Sequence, residues 1–187
     1  MQNSDSSSKQ KSLNITLIGM AGVGKSVIGK KLAEVLHYEF IDLDERIENK
    51  FGLKLQKVLD RLGEQRFLEI EEQTILELGS LDHAVISPGG SAIYSTRAMT
   101  FLKQNSVVVF LDAPFEVIEK QIPNLDSRGI VWGKRKDLKL LFQERKPLYE
   151  KYADITIKMS EDGNVDTVVR EILQKIRGTC QVGFSLE

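Results

Sequence analysis

The chain has very few of the residues that build disulfide frameworks and zinc sites. Its 187 residues include one cysteine, Cys180, and two histidines, His37 and His83. A lone cysteine cannot form an internal disulfide bond and fits a reducing compartment, and so few Cys and His residues argue against a zinc site. We therefore expect a cytoplasmic domain that is held together by its hydrophobic core.

Long apolar runs and an excess of one charge sign are also missing. The 26 basic and 27 acidic residues leave a net charge of −1, which gives no indication of a nucleic-acid or membrane-surface partner. No segment approaches the roughly 20 apolar residues of a membrane span, and the serine-rich start lacks the apolar core of a signal peptide. We expect one domain over residues 13–178, with loose tails at 1–12 and 179–187.

The strongest motif that is present is GMAGVGKS, residues 19–26, between an apolar run and a helix-like pattern. It matches the phosphate-binding loop, in which glycines let backbone N–H groups approach phosphate oxygens at a helix N-terminus. In that loop the lysine, here Lys25, reaches the β- and γ-phosphates, and the hydroxyl, here of Ser26, binds Mg²⁺. The motif predicts a nucleotide site formed by Gly22, Val23, Gly24, Lys25, Ser26 and Val27.

Short apolar runs alternate with helix-like patterns along the rest of the chain. This alternation predicts an α/β fold, a parallel sheet with right-handed crossovers and helices on both faces. The predicted strands cover residues 13–18, 39–44, 84–87, 106–112 and 154–158. The predicted helices cover residues 25–37, 46–50, 55–62, 64–78, 96–103, 113–122, 137–152 and 164–177. The polar segment at about 123–136 is expected to be a mobile lid.

Two aspartates, Asp42 and Asp44, end the second predicted strand. Residues two apart on an extended segment point to the same side, and ligands bind at the C-terminal edge of a parallel sheet. One carboxylate would then hold Mg²⁺, and the other would accept a proton from an attacking hydroxyl. The alternative is structural, because Asp42 followed by Glu45 resembles a capping box for the next helix. Behind a phosphate loop we favour the catalytic interpretation.

The ordered set of motifs resembles the shikimate kinases, within the nucleoside-monophosphate-kinase-like P-loop proteins. The resemblance spans nearly all of residues 13–176 and rests on GMAGVGKS, DLDERIE, GEQRF with Glu71, PGGS, Arg128, and ERKPLY followed by AD. It implies a three-layer αβα fold with a five-stranded parallel sheet in the order 2-3-1-4-5. It also implies ATP, Mg²⁺ and phosphoryl transfer to a small hydroxylated acid. The default acceptor is shikimate, giving shikimate 3-phosphate for aromatic amino acid biosynthesis.

The resemblance also implies a role for individual residues. The catalytic residues would be Lys25, Asp44 and Arg128, with Arg128 also touching the nucleotide. The metal would lie near Ser26 and Asp42, with Ser87 behind. The acceptor would be held by Asp44, by the backbone of Gly89 and Gly90, and by Arg145. Without the resemblance, the two arginines would more simply be explained as solvated charges on a loop and a helix.

Several positions depart from the family pattern. An arginine that clamps the acceptor carboxylate normally follows the phenylalanine of GEQRF, but here Leu68 stands in its place, and leucine cannot form a charge-assisted fork. Arg66 is a poor substitute, because two residues along a helix turn it about 200° away. The other departures are Ser91 in a triple glycine, Arg128-Gly129-Ile130 in the lid motif, Gln121 near the adenine, and Val27 after the lysine-serine pair.

Three functional hypotheses follow. The first is a shikimate kinase, and the second is a kinase of the same build whose acceptor has shifted to another sugar acid or amino alcohol. The third is a nucleotide-binding regulator without catalysis, which the retained Lys25, Asp42, Asp44 and Arg128 argue against. We expect a monomer that acts on a small molecule. The choice between ATP and GTP, the strength of the activity and the roles of the C-terminal tail and Cys180 stay open at this point.

Overall fold

A computed structural model describes residues 13–121, 129–133, 137–160 and 163–179 of the chain. Five parallel strands form one sheet in the order β2-β3-β1-β4-β5, which confirms the predicted order. The strands are β1 Asn14–Ile18, β2 Glu39–Asp42, β3 Ala84–Ser87, β4 Ser106–Asp112 and β5 Ile155–Lys158. Because all strands are parallel, their carboxyl ends meet at one edge of the sheet, where the candidate site lies.

Helices cover both sides of the sheet and complete the predicted αβα architecture. A short 3₁₀ turn, Ala92–Tyr94, precedes the fifth of them. The helices are α1 Lys25–Leu36, α2 Leu43–Phe51, α3 Leu55–Leu62, α4 Glu64–Leu76, α5 Thr96–Asn105, α6 Phe115–Gln121, α7 Leu138–Tyr152 and α8 Val165–Thr179. None of the described helices is long and apolar enough to cross a membrane.

The central strand β1 is buried along its whole length. Its first residue, Asn14, uses its side chain as a bridge: the amide nitrogen donates to the carbonyls of Leu81 (3.0 Å) and Asn105 (2.9 Å). The amide oxygen accepts from the backbone N–H of Ala84 at 3.0 Å. These bonds satisfy a buried polar side chain and fix where the neighbouring strands begin. The amino end of β1, the strand that leads into the phosphate loop, is thereby fixed relative to its neighbours.

A second, smaller cluster of apolar side chains lies beside the main core. It joins α2, α3, α4 and the segment 129–133, and its buried members are Ile47, Leu55, Val58, Leu59, Phe67 and Val131. Leu68 packs against this cluster and is only partly exposed. The cluster forms a separate lobe that carries one wall of the site.

The end of β2 differs from the prediction. The strand stops at Asp42, and Leu43 already begins α2, so Asp44 lies in a helix and not on an extended segment. Asp42 is the N-cap of that helix, and its Oδ1 accepts from the N–H groups of Asp44 (3.0 Å) and Glu45 (3.3 Å). The prediction that both aspartates point to one side of a strand was therefore wrong, and the capping interpretation describes the backbone correctly.

The predicted lid falls partly outside the described residues, which omit 122–128 and 134–136. The described part, 129–133, is packed onto α3 and α4. The N–H of Gly129 donates to Gln56 Oε1 at 2.9 Å, and the N–H of Trp132 donates to Glu64 Oε1 at 2.7 Å. A side chain at position 129, where φ is +63°, would lie 2.7 Å from Leu55 Cγ, so this contact requires glycine. The mobility and limits of the lid stay predictions.

Candidate active site

The phosphate loop forms a turn that favours glycine at several positions. The φ angles of Gly19, Gly22 and Gly24 are +148°, +82° and +99°, a region that other residues rarely adopt. Gly24 is the N-cap of α1, and among the described residues no side chain caps that helix. The first N–H groups of α1 and the positive end of its dipole are thus available to an anion. This geometry fits the predicted phosphate site.

Lys25 is buried at the base of this loop. Its Nζ donates to the carbonyls of Gly19 (3.0 Å) and Met20 (3.2 Å). Burial lowers the pKa of Lys25, while the nearby carboxylates of Asp44 and Asp42 act in the opposite direction. The ammonium group is therefore held in place by its own loop and lies close to two acids.

The two valines of the predicted nucleotide site differ in role. The side chain of Val23 is buried in the core, and its N–H donates to the carbonyl of Met20 at 3.2 Å. Val27 is 60% exposed and lies on the wall of the cavity described below. Val23 thus supports the turn, whereas Val27 offers surface to a ligand.

Ser26 and Asp42 meet at the mouth of the loop. The Ser26 hydroxyl donates to Asp42 Oδ2 at 2.7 Å, while the other oxygen of Asp42 caps α2. A hydroxyl and a carboxylate are the hard oxygen ligands that Mg²⁺ prefers, and this cation commonly takes its other ligands from water and phosphate oxygens. The pair therefore fits the metal that the sequence predicts there.

A cavity of about 590 Å³ opens beside the loop and joins both halves of the site. The loop contributes residues such as Lys25 and Ser26, and the opposite wall contributes residues of α2, α7 and the turn after β3. Most of the predicted nucleotide and acceptor residues line this space, namely Gly22, Gly24, Lys25, Ser26, Val27, Asp44, Gly89, Gly90 and Arg145. Ser87, Ser91, Gln121 and Ile130 line it too. Arg128 lies outside the described residues.

The turn after β3 approaches the acids of the site very closely. A Cβ atom on Gly89 would lie 2.1 Å from Glu71 Oε1 and 2.8 Å from Asp44 Oδ1, so only glycine fits. A Cβ atom on Gly90 would lie 3.2 Å from Arg145 Nη1. The Asp44 carboxyl lines the cavity, and burial raises its pKa to about 6, with Lys25 opposing that shift. The backbone, a carboxyl and a guanidinium thus converge on one small space.

Arg145 is 1% exposed, so it is not the solvated helix charge of the alternative interpretation. Its Nη2 donates to the carbonyl of Val131 at 2.7 Å, and its Nε donates to the Tyr94 hydroxyl at 3.2 Å. The guanidinium also lies 5.2 Å from the centre of the Tyr94 ring. These contacts leave Nη1 facing Gly90 and the cavity. Arg145 is therefore oriented in advance for an anionic group.

Three residues that support the site were not among the predicted site residues. Tyr94 donates to Glu144 Oε1 at 2.6 Å while it accepts from Arg145. Tyr149 donates to the carbonyl of Gly90 at 2.7 Å, and burial raises its pKa to about 12. The third is Glu71, which is 2% exposed. In the sequence, ERKPLY marks Tyr149 as part of a motif, but only the fold shows which group it contacts.

Neither Leu68, which stands where the family pattern has an arginine, nor Arg66 faces the cavity. Leu68 is absorbed into the second apolar cluster. Arg66 is exposed and donates to Glu69 Oε2 at 2.6 Å, beside a surface groove that Lys50 and Phe51 also line. Neither side chain lines the cavity of the described residues. Among the described residues, Arg145 is thus the arginine that lines the cavity.

Comparisons with known proteins place this geometry in a family. The shikimate kinase family model matches residues 21–177. The chain belongs to the shikimate kinase family. A shikimate kinase of Persephonella marina is 36% identical over 165 residues, which cover 88% of this chain and 99% of that protein. The predicted small-molecule kinase is thereby confirmed, the family implies the use of a nucleotide, and the non-catalytic regulator is disfavoured.

Solved structures agree with the family assignment. The shikimate kinase from Acinetobacter baumannii in complex with shikimate superposes with a TM-score of 0.82 at 31% identity, covering 92% of this chain and 97% of that one. The shikimate kinase from Aquifex aeolicus gives 0.76 at 33% identity, covering 91% and 100%. The shared fold thus extends over almost the whole of both proteins and includes the lobe that carries Leu68.

Proposed function

We propose that the chain is a shikimate kinase that transfers the γ-phosphoryl group of ATP to a hydroxyl of shikimate. The observation that carries the proposal is one cavity with two walls. The phosphate loop forms one of them, and Asp44, Gly89, Gly90 and Arg145 form the other, here called the acceptor wall. At one end Lys25 and the N-terminus of α1 are available to phosphates, and at the other Asp44 and Arg145 face the same space. A phosphate donor and an anionic alcohol can therefore meet there in one complex.

In this proposal Asp44 is the general base. The acceptor oxygen attacks the γ-phosphorus, the bond from that phosphorus to the β,γ-bridging oxygen breaks, and the hydroxyl proton passes to the Asp44 carboxylate. Burial raises the pKa of Asp44 to about 6, so the carboxylate is ionised at neutral pH yet basic enough to accept a proton. Lys25, which lies close enough to act on that pKa, would face the charge that develops on the phosphates.

The nucleotide would be held mainly by the backbone of the phosphate loop and by Lys25. Ser26 and Asp42 would hold the Mg²⁺ ion, which when bound neutralises phosphate charge. Arg128 is proposed to add a further cation from the lid. We also propose that the working unit is a monomer, with one domain at 13–178, and that the nucleotide is ATP.

Arg145 and the N–H groups of Gly89 and Gly90 would bind the acceptor carboxylate. With leucine at position 68, this wall has one cation fewer than the family pattern provides. Loss of one contact between buried charged groups costs on the order of 2–5 kcal/mol of binding free energy. We therefore expect weaker shikimate binding than is usual for the family, but the same reaction.

A second candidate function is a kinase with another small acceptor. It is favoured by Leu68 and by Ser91, which lines the cavity where the family pattern has glycine. Both changes lie on the acceptor side, whereas the phosphate loop is intact. They alter the part of the site that determines acceptor specificity and not the part that transfers the phosphoryl group.

A coupled assay of ADP release would test these alternatives. The full chain would be supplied with ATP, Mg²⁺ and, in turn, shikimate, related ring acids, gluconate and homoserine. We expect turnover with shikimate, and a Lys25→Met variant provides the control for contaminating kinases. Faster turnover with another acceptor at equal concentration would favour the second candidate. Nucleotide binding without turnover on any acceptor would contradict both.

A further inference from the structure

One oxygen of a buried carboxyl behind the acceptor wall has no hydrogen-bond partner among the described residues. Glu71 is 2% exposed, and the Ser91 hydroxyl forms a hydrogen bond with its carboxyl group. Its Oε1 is buried and makes no hydrogen bond within the described part of the chain. An ionised oxygen in such a place is costly, so the carboxyl needs either a cation or a proton.

The helix that carries Glu71 does not supply that cation. Leu68 precedes Glu71 by three residues, a spacing that makes two side chains neighbours on a helix surface. Leucine offers neither charge nor donor, and it packs into the second apolar cluster. The neighbouring position on that side of the helix is thus apolar.

The two buried cations of the site are directed elsewhere. Lys25 Nζ donates to Gly19 and Met20, and Arg145 donates to Val131 and Tyr94. Both lie close enough to act electrostatically on the Glu71 carboxyl. Neither forms a hydrogen bond with its Oε1 in the described structure.

The nearest acid makes ionisation of Glu71 harder still. A Cβ atom on Gly89 would touch both Glu71 Oε1 and Asp44 Oδ1, at 2.1 and 2.8 Å, so these two oxygens lie on the same side of one peptide. Two carboxylates at such close range cannot both be ionised without a penalty. Burial, and next Asp44, raise the pKa of Glu71 to about 7.

Charged groups of the other elements that pack on α4 do not compensate. On α5, Arg97 donates to Glu72 at 2.6 Å. The charged residues at the surface of α3 are exposed, namely Lys57, Asp60 and Arg61. On α7, the Tyr149 hydroxyl is close enough to be influenced by Glu71, but it donates to the carbonyl of Gly90. Within the part of the chain that the structure describes, a proton is thus the remaining way to neutralise Glu71.

We propose that an anionic acceptor binds this site together with one proton, which resides on Glu71 and takes the place of a second cation. The inference rests on the proposed function, since shikimate is the anion in question. When Glu71 is protonated, the acceptor carboxylate binds Arg145 without electrostatic repulsion from Glu71. When Glu71 is ionised, the same carboxylate enters a wall that already holds a buried negative charge. Glu71 is thus a positioning and specificity-determining residue, and it does not take part in the transfer itself.

The sign of the effect follows from this linkage. The shikimate carboxylate stays ionised throughout the neutral range. Shikimate should therefore bind most tightly below about pH 7, where Glu71 holds its proton. Above that pH its Kd should rise, approaching tenfold per pH unit, because one proton must be taken up for each acceptor bound.

Isothermal titration calorimetry on the full chain tests this directly. Shikimate would be titrated in the presence of saturating ADP and Mg²⁺, from pH 6.5 to 8.5, in buffers of different ionisation enthalpy. We expect the rise in Kd described above and an uptake approaching one proton per shikimate at pH 8. Uptake is read from the buffer dependence of the heat, which a merely structural role of Glu71 would not produce.

Two variants assign the proton to Glu71. In Glu71→Gln the group stays neutral, so Kd should change less than twofold over the range, with no proton uptake. In Leu68→Arg a permanent cation pairs with Glu71, so Kd should again be flat, and at pH 8 it should be about tenfold lower than in the original chain. Glu69→Gln, on the exposed side of the same helix, is the matched control and should keep the original pH dependence.

The outcomes separate the two proposals. A flat Kd with clear shikimate binding overturns the proton-linked inference and leaves the shikimate kinase proposal intact. No shikimate binding at any pH overturns both. A slope that persists in Glu71→Gln places the proton elsewhere and overturns the assignment. If Glu71→Gln does not fold, Leu68→Arg decides, because persistent proton uptake in that variant has the same meaning.

Discussion

Asp44 derives its chemistry from where α2 begins. It lies in the first turn of that helix, where Asp42 accepts from its N–H, and its own carboxyl enters the cavity. Burial raises its pKa to about 6, Lys25 opposes this shift, and Asp42 and Glu48 add to it. A carboxyl held among these groups is ionised at neutral pH and remains a better proton acceptor than a free aspartate.

Replacing Asp44 by Asn should remove the base without removing the nucleotide site. We expect kcat to fall on the order of 10²- to 10⁴-fold, the usual contribution of general base catalysis. The Kd of ATP should stay within about twofold of the original, because phosphates are bound by the loop and Lys25. Kinetics and calorimetry would be compared with Glu45→Gln, an exposed neighbour on the same helix. Loss of ATP binding in Asp44→Asn would show that its role is structural.

The raised pKa of Asp44 also predicts an acid limb in the pH profile. Only the ionised carboxylate accepts a proton, so kcat/KM should increase with pH through about 6. It should fall again above about pH 7, where Glu71 loses its proton and shikimate binds more weakly. The measurement is kcat/KM for shikimate from pH 5 to 8 at saturating ATP. A profile without this limb would contradict the assignment of Asp44 as the base.

Residues that bind through one strong motif were easier to predict than residues that act through neighbours. Lys25, Asp44, Gly89, Gly90 and Arg145 all line one cavity, as expected from their motifs. Glu71 belongs to the motif with GEQRF, but it was not predicted as a site residue. Its importance lies in a missing partner, and a missing partner is visible only when the surrounding side chains are in place.

At the scale of elements, the start of α2 is the place where the sequence pattern predicted a strand and the structure has a helix. The apolar run of β2 and the two aspartates together predict one extended segment. An Asx cap competes with strand continuation, and here Asp42 satisfies two N–H groups that would otherwise lack partners at the helix start. The end of α3 at Gly63, by contrast, followed the breaker in the sequence, because glycine acts locally.

The roles of the two carboxylate oxygens of Asp42 can be separated experimentally. In Asp42→Asn the cap is kept, since asparagine caps helices well, but the charge toward Ser26 is lost. In Asp42→Ala both are lost, so the free energy of unfolding should fall by about 1 kcal/mol. We expect both variants to need more Mg²⁺ for half-maximal activity, and only Asp42→Ala to lose stability in urea unfolding. Equal stability of the two variants would contradict the capping role.

At the scale of the whole molecule, the parallel sheet brings distant segments to one edge. The loop after β1, the helix α2 that follows β2 and the turn after β3 are separated by many residues, yet all three line the cavity. The alternation of strands and helices predicted this meeting place, because parallel strands end at the same edge. It did not predict the second apolar cluster, whose members come from three helices and the segment 129–133.

Glu71 should also make the stability of the whole fold depend on pH. Its folded-state pKa, about 7, lies above the ordinary 4.5, so between these values the folded state binds more protons than the unfolded state. The free energy of unfolding should therefore decrease as pH rises from 4.5 through 7. In Glu71→Gln this contribution is removed, and stability at pH 8 should increase on the order of 1–3 kcal/mol.

Urea unfolding at several pH values between 5 and 8 checks this expectation. The difference between Glu71→Gln and the original chain should be small at pH 5 and should grow toward pH 8. Glu69→Gln, at an exposed position of the same helix, should follow the original chain. A constant difference at all pH values would mean that the substitution acts through packing and not through ionisation.

The two carboxylate oxygens of Asp42 link the binding of the nucleotide to the binding of the acceptor. One oxygen faces the nucleotide loop through Ser26, and the other fixes the turn that carries Asp44. Any change that a bound nucleotide imposes on this group is transmitted to the acceptor side over a few covalent bonds. Coupling between two binding equilibria is reciprocal, so the factor by which ATP alters shikimate affinity is also the factor by which shikimate alters ATP affinity.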